Sequence, residues 1–450
     1  MKRKILSPFS LPIFYFGSVI LVGAFFLRSS TNNNSYLSWI DAIFTATSAT
    51  CVTGLAVVDT GTFFNTTGHI IILILIQLGG LGIMTFTSLI FYLRNRRVSL
   101  TDRIAVGQSL LHDPAFNIGK FLIQIFAWTF LIEIIGAGLI YIKAPYGFSP
   151  FSALFHSISA FCNAGFSLHS DSLIAYQGDI GINFIFIMLI VLGGIGFSVL
   201  TEVIPYSIKK IRDPKKKSIK LSWYSSVVIR TSLFLIISGA ILIYIFENIG
   251  NKHYHGFRYA VLSSIFQSVS CRTAGFNSLD ISQMTNVSLL IMMILMVIGG
   301  APGSCAGGVK VTTFRVILAF IFAQLKGQKQ SIIGKFAVDE GTLNKALMLT
   351  VFSVIIIMSS IIFLNITEGG RVPHIEARGL NTEIAFEVVS AFGTVGLTTG
   401  LTPKLSFFGK IVITILMFIG RLGPILFLSA IKNFQEDKLY LLPQENMLIG

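Results

Sequence analysis

Four stretches decide the reading of this chain: DAIFTATSATCVTGLAV from Asp41, SALFHSISAFCNAGFSL from Ser152, SSIFQSVSCRTAGFNSL from Ser263 and EIAFEVVSAFGTVGLTTG from Glu383. Each is too short and too interrupted to cross a bilayer, yet too apolar for a solvated loop. Phe44, Phe155 and Phe386 stand ten residues before Gly54, Gly165 and Gly396, and Phe266 stands nine before Gly275. These glycines recur at intervals of 111, 110 and 121 residues, and repetition at a fixed period means duplication. A second echo follows 24 to 28 residues later in Leu78-Gly79-Gly80, Leu192-Gly193-Gly194, Ile298-Gly299-Gly300 and Ile419-Gly420-Arg421. The glycine pairs of the first two also fit helices that pack closely in a membrane.

Outward from these stretches, apolar runs near 9–27, 69–93, 119–142, 183–206, 225–246, 287–322, 343–364 and 409–431 have the length, about 17 to 25 residues, that spans a hydrocarbon core. Over the 450 residues 53% are apolar, 12% are charged and the mean hydropathy is +0.78. That composition excludes a water-soluble domain and calls for a lipid bilayer. The predicted fold class is all-α integral membrane. Its plan is four repeats of outer helix, re-entrant segment and inner helix around one central pore: 1–98, 99–215, 216–340 and 341–450.

The first apolar segment continues to Leu27 without a cleavage pattern and reads as a retained helix. With the N-terminus inside, one face collects Lys2, Arg3, Lys4, Arg94, Arg96, Arg97, Arg103, the run from Lys209 to Lys220, and Lys326, Lys329, Lys335 and Lys345. The other keeps scattered charges such as Arg28, Lys143, Arg258, Lys404 and Lys410. Cytoplasmic loops carry the positive excess, so both termini are expected in the cytoplasm of a multi-pass cell-membrane protein. The net charge of +14 lies between spans and forms no stripe with interleaved aromatics, so no nucleic-acid partner is expected.

Non-helical backbone at membrane depth survives only where protein or a water-filled cavity covers it. The four re-entrant turns must therefore meet one another. Around a common axis their carbonyls would replace the hydration shell of a cation, with glycine supplying the backbone conformations that a Cβ disfavours. The short helices expected at 38–50, 151–162, 258–271 and 382–392 would aim their partly negative C-terminal ends at it. Candidate ion-binding residues are Val52, Thr53 and Gly54; Asn163, Ala164 and Gly165; Thr273, Ala274 and Gly275; and Thr394, Val395 and Gly396.

The sixth span is interrupted by GGAPGSCAGGVK, Gly299 to Lys310, whose five glycines and one proline no helix runs through comfortably. The pattern G-x-x-x-x-G-K-[ST] is absent, so this is not a phosphate loop. G-x-S-x-G and H-E-x-x-H are absent as well, and no enzyme is expected. Arg421 lies inside the eighth span, where a charge needs a cavity or a partner; a barrier to cations and a buried ion pair both fit. Arg272 is expected to pair with a carboxylate such as Glu387. Cys51, Cys162, Cys271 and Cys305 form no C-x-x-C pair, so neither disulfides nor a transition-metal site is expected, and no cofactor. His156 reads as structural.

The motifs TGLAVVDTG from Thr53, NAGFSL from Asn163, RTAGFNSLD from Arg272, SAFGTVGLT from Ser390 and GRLGP from Gly420 resemble the Ktr/Trk/HKT superfamily of potassium transporters. The pattern is most like that of the Ktr membrane subunit (KtrB-like), over nearly the whole chain. The resemblance implies a selectivity filter for K+ with glycines at Gly54, Gly165, Gly275 and Gly396, and one pore per subunit. It implies a gate in the break, formed by Gly299, Gly300, Pro302, Gly303, Ser304, Cys305, Ala306, Gly307, Gly308 and Lys310, with Arg421 beside it. It also implies a homodimer, Na+ as a stimulating ion, and a KtrA-like cytoplasmic nucleotide-binding ring as regulator. In related plant transporters serine at the first glycine goes with sodium; here the residue is Gly54. A less selective sodium or ammonium transporter on the same fold is the alternative.

Overall fold

The computed structural model describes residues 11–32, 35–82, 118–212, 220–250, 256–370, 373 and 375–423. The basic residues at 2–4, 94–103 and 215–217, His253 and His255, the ends of the spans expected at 69–93 and 409–431, and the last residues 446–450 lie outside them.

Four times the chain runs outer helix, short re-entrant helix, inner helix. The outer helices are Leu11–Arg28, Ile118–Lys143, Trp223–Gly250 and Glu340–Leu364; the re-entrant ones are Trp39–Thr50, Pro150–Phe161, Phe257–Ser270 and Leu380–Gly393. The inner helices are Thr66–Gly80, Ile180–Gly194, Asn286–Val297 and Phe407–Leu422. Phe121–Lys143, Trp223–Ile249 and Glu340–Gly369 are long and apolar enough to cross a membrane unaided, and strands among the described residues amount to one antiparallel pair, Ile332–Ile333 with Phe336–Ala337.

Local chemistry starts each inner helix: the side chains of Asn65, Asp179, Thr285 and Ser406 accept backbone N–H groups of the first turn, which have no partner within the helix. Ser38 and Ser149 do the same for the first two re-entrant helices. The aligned Phe44, Phe155, Phe266 and Phe386 are all fully buried, which explains their recurrence in sequence.

Packing closes the repeats into a ring. The inner helix of repeat one packs on the re-entrant helix of repeat two, that of two on three, three on four, and four on one. An ion pair between Lys410 Nζ and Asp41 Oδ1, at 2.6 Å, ties the last contact.

One expected span is bent. Residues 183–206 are not one straight helix: the first helix ends at Gly194 and a second one, Phe197–Arg212, departs at 117°. Gly196, with φ +95°, makes the corner, a left-handed conformation that ends a helix and that glycine adopts readily. The glycine echoes thus stand at the ends of inner helices rather than inside them. Gly82 (φ +80°) follows the first helix and Gly423 (φ +79°) the fourth, and the third stops at Val297 before the long break.

Candidate functional site

The four turns come together as a ring. A Cβ built on Gly54 would lie 3.0 Å from the Gly165 Cα; one on Gly165, 2.9 Å from Gly275; one on Gly275, 3.4 Å from Gly396; and one on Gly396, 2.9 Å from Gly54. Each repeat touches the next and the fourth returns to the first. All four glycines have positive φ: +95°, +69°, +79° and +92°. Any side chain here meets both a backbone penalty and a neighbouring main chain.

Two residues earlier in each turn, Val52, Asn163, Thr273 and Thr394 also have positive φ, 56°, 58°, 78° and 52°. For β-branched valine and threonine that is an outlier, and such residues persist where the surroundings over-determine them, commonly at functional sites. The residues between, Thr53, Ala164, Ala274 and Val395, keep ordinary φ. Alternation of hand along three residues turns successive carbonyls to the same side, which is how a backbone coordinates a bare cation.

The turns are braced from behind by a residue that motif reading passed over. Ser48, Ser159 and Ser390 stand six residues before their glycines, and Ser270 five. In repeats one and four the serine Oγ accepts the glycine N–H, at 3.1 Å for Gly54 and 3.1 Å for Gly396. In repeats two and three it donates to the carbonyl after the glycine, Phe166 at 2.7 Å and Phe276. The serine carbonyl also accepts the N–H of Thr53, Ala164 or Val395 five residues on, and of Ala274 four residues on. The one-residue-shorter spacing of repeat three is absorbed there. A serine in phase in all four repeats was the available signal. Meanwhile the buried hydroxyls of Thr53, Thr273 and Thr394 have no hydrogen-bond partner among the described residues. Unpaired buried polar groups are costly, and here they border the ring.

Behind the turns lies the break. Its ends are tied by a parallel bridge between Ile298 and Val309, with Gly299 N donating to Val309 O at 2.9 Å and Val311 N to Gly300 O at 3.1 Å. The loop then fills the corner in the second inner helix. Ala301 N donates to Gly194 O (3.0 Å), Cys305 N to Gly193 O (3.2 Å), and Phe197 N to Gly303 O (2.9 Å). Carbonyls freed where that helix ends are thereby satisfied by repeat three, as membrane depth requires. The loop lies against the ring: a Cβ on Gly308 would be 3.4 Å from the Gly393 Cα, and one on Gly299 3.5 Å from the Thr273 Cγ2.

Arg421, buried at the end of the fourth inner helix, donates to Cys305 O of the loop and to Gly79 O, with Gly80 O at 3.4 Å. Among the described residues its hydrogen-bond partners are carbonyls and no ion pair is formed: the guanidinium caps the end of the first inner helix and pins the loop. Lys310 Nζ donates to Ala306 O at 2.7 Å and Gly307 O at 3.3 Å.

The expected pairing of Arg272 with Glu387 is not formed. Arg272 immediately precedes the third turn and faces its own outer helix, donating to Ser232 O (3.1 Å), Ser232 Oγ (3.2 Å) and Gly299 O (3.4 Å). Glu387 accepts instead from Thr398 Oγ1 at 2.9 Å and from Thr402 Oγ1. His156 is buried in hydrogen bonds to Ser152 and Ser167. Cys51, Cys162, Cys271 and Cys305 are free buried thiols, and no cluster of three or more metal-ligating side chains occurs among the described residues.

Comparison with known proteins extends over nearly the same length. Residues 9–439 match the family described as TrkH, cation transport protein. The Ktr system potassium uptake protein B of Bacillus subtilis is 39% identical over 93% of this chain and 92% of that protein. The potassium/sodium uptake protein NtpJ of Enterococcus hirae is 36% identical over 100% of this chain and 98% of its own. Among solved structures, the potassium transporter TrkH of Vibrio parahaemolyticus superimposes with a TM-score of 0.75, covering 96% of this chain and 87% of that one at 18% identity. That last likeness concerns the fold.

Proposed function

Because this chain belongs to the TrkH family of cation transport proteins, a family of membrane transporters and not enzymes, we propose that it takes up potassium across the cell membrane as the membrane subunit of a Ktr-type system. The observation that carries the reading is the closed ring of four left-handed glycines, Gly54, Gly165, Gly275 and Gly396, each touching the next. The filter on this reading comprises residues 52–54, 163–165, 273–275 and 394–396, one turn from each of the units 1–98, 99–215, 216–340 and 341–450. Their carbonyls and free threonine hydroxyls coordinate K+ as the transported substrate.

The break at 299–310, with Arg421, is the gate: it lies against the ring on the side of the inner-helix ends, and its backbone is held by bonds that can be exchanged singly. Sodium stimulation, a homodimer, cytoplasmic termini and a cytoplasmic nucleotide-binding ring complete the proposal. They draw support from the relatives described as Ktr system proteins and from basic residues such as Lys209, Lys210, Lys326 and Lys329. The name of the Enterococcus hirae relative, which includes sodium, keeps a less selective carrier as the second reading.

Expression in a strain that lacks potassium uptake tests both. Growth at low external K+, with rubidium competing and sodium not, is the expected result; equal competition by sodium selects the second reading. Uptake that is regulated and complete in cells lacking a KtrA-like subunit removes the partner from the scheme.

A further inference from the structure

Three consecutive carbonyls of the break loop, those of Cys305, Ala306 and Gly307, are all held by basic side chains. Arg421 takes the first, and Lys310 takes the other two at 2.7 and 3.3 Å. The two cations come from different repeats. This is the part of the loop nearest the fourth turn: a Cβ on Gly307 would lie 2.8 Å from the Thr394 Cγ2, and the Thr394 hydroxyl has no partner. Peptide carbonyls converging on one point next to a free hydroxyl are a coordination set for a monovalent cation. An ammonium is a compact point charge with three donors, able to sit in such a set as an ion does, whereas a guanidinium is a flat fork that cannot.

The geometry points to Lys310 as a tethered substitute for the transported ion: its ammonium occupies a second cation site, on the carbonyls of Ala306 and Gly307, and an ion leaving the ring of turns passes by displacing it. This rests on reading the loop as the gate, and it adds what the gate is occupied by and what opens it. A cation arriving from the ring competes with Lys310 for the same oxygens, while Arg421 keeps Cys305 and the rest of the loop in place. Permeation then carries a built-in competitor whose strength is set by the reach of the lysine stem from a backbone position four residues after Ala306.

The test uses the full chain in proteoliposomes with Rb+ as the probe. Lys310→Met should raise maximal Rb+ uptake about tenfold, the factor given by roughly 1.4 kcal/mol of lost competition, and lower the half-saturating concentration. Lys310→Arg, whose guanidinium cannot take the site, should also raise the rate and lower the half-saturating concentration, by less than Lys310→Met because its charge stays beside the path. Wild-type rate and half-saturation in Lys310→Met, alongside faster uptake in a deletion within Gly303 to Gly308, would leave the loop a gate and reduce Lys310 to a structural cap. No change in the deletion either would remove the gate reading itself. A measurement on the unaltered protein covers a variant that fails to fold. Crystals at high Rb+ should show anomalous density at the Ala306 and Gly307 carbonyls with the ammonium moved away. Density confined to the ring, with the lysine bonds intact, overturns the inference.

Discussion

The ring of turns and the layer of helix ends behind it are built on opposite principles. Each turn is held by its own repeat: the same serine, in the same phase, bonds the backbone of the same turn four times. The layer behind combines bonds that tie the break loop to itself with exchange between repeats. Arg421 of the fourth caps the first inner helix, and the loop of the third fills the corner of the second. A site assembled from four self-contained parts keeps its geometry when the repeats shift slightly. A layer with bonds that cross between repeats responds to such a shift, which is what the proposed gate needs.

The comparison breaks most sharply at the glycines. Gly54→Ser places a side chain at φ +95°, with its Cβ 2.5 Å from the Ala164 carbonyl, and both strain and a displaced neighbour follow. Preference for K+ over Na+ should fall by about tenfold or more. Competition flux measures it, and unchanged K+ affinity with unchanged sodium block would take Gly54 out of the filter.

The next effect belongs to the layer behind. Arg421→Ala, and a deletion within Gly303 to Gly308, should each raise maximal flux several-fold, on the order of the 1 to 3 kcal/mol held in a charge-assisted bond, with selectivity nearly unchanged. Loss of folded protein in both would make this layer purely structural. Altered selectivity at unaltered rate in Arg421→Ala would merge the two layers into one.

A smaller effect separates bracing from burial. Ser390→Ala removes the acceptor of the Gly396 N–H and leaves a buried donor unpaired, a loss of about 1 to 3 kcal/mol, expected as a lower Tm together with weaker K+ preference. Ser353→Ala is the control, because among the described residues that hydroxyl bonds only Leu349 O of its own helix at 2.7 Å; it should lower Tm slightly and leave preference alone. Equal effects on preference would mean that the serines do not brace the ring.

The smallest effect lies outside both regions. Asp339 caps the fourth outer helix through Thr342, and these hydrogen bonds hold its carboxyl below the usual range. A depressed folded-state pKa contributes stability above the unfolded value, lost as pH falls through the folded one. Asp339→Asn should therefore be nearly silent in flux at neutral pH, and it should flatten only the acid limb of a thermal-stability profile, below about pH 4. A change in transport would show that this exposed cap is coupled to the ring.

The repeat was legible because duplication leaves a period: four phenylalanines, three of them ten residues and one nine before a glycine, are enough to predict four turns meeting on an axis, and the turns do meet. The bracing serines were equally periodic, though less conspicuous among many hydroxyl residues. Arg272 shows where such reading fails. Proximity in sequence to the third turn suggested a carboxylate nearby, but the side chain that directly precedes the turn faces the outer helix and Ser232.

Sequence by itself determined a bilayer protein of four repeats, the level of its turns and the place of its long break, since hydropathy, period and glycine content are local quantities written residue by residue. Only the tertiary structure decided that the second inner helix turns through 117° at Gly196, that the break loop fills that corner, and that Arg421 and Lys310 hold carbonyls rather than carboxylates. The physical reason is that a freed carbonyl at membrane depth must find a donor, and which donor reaches it depends on how distant repeats pack together.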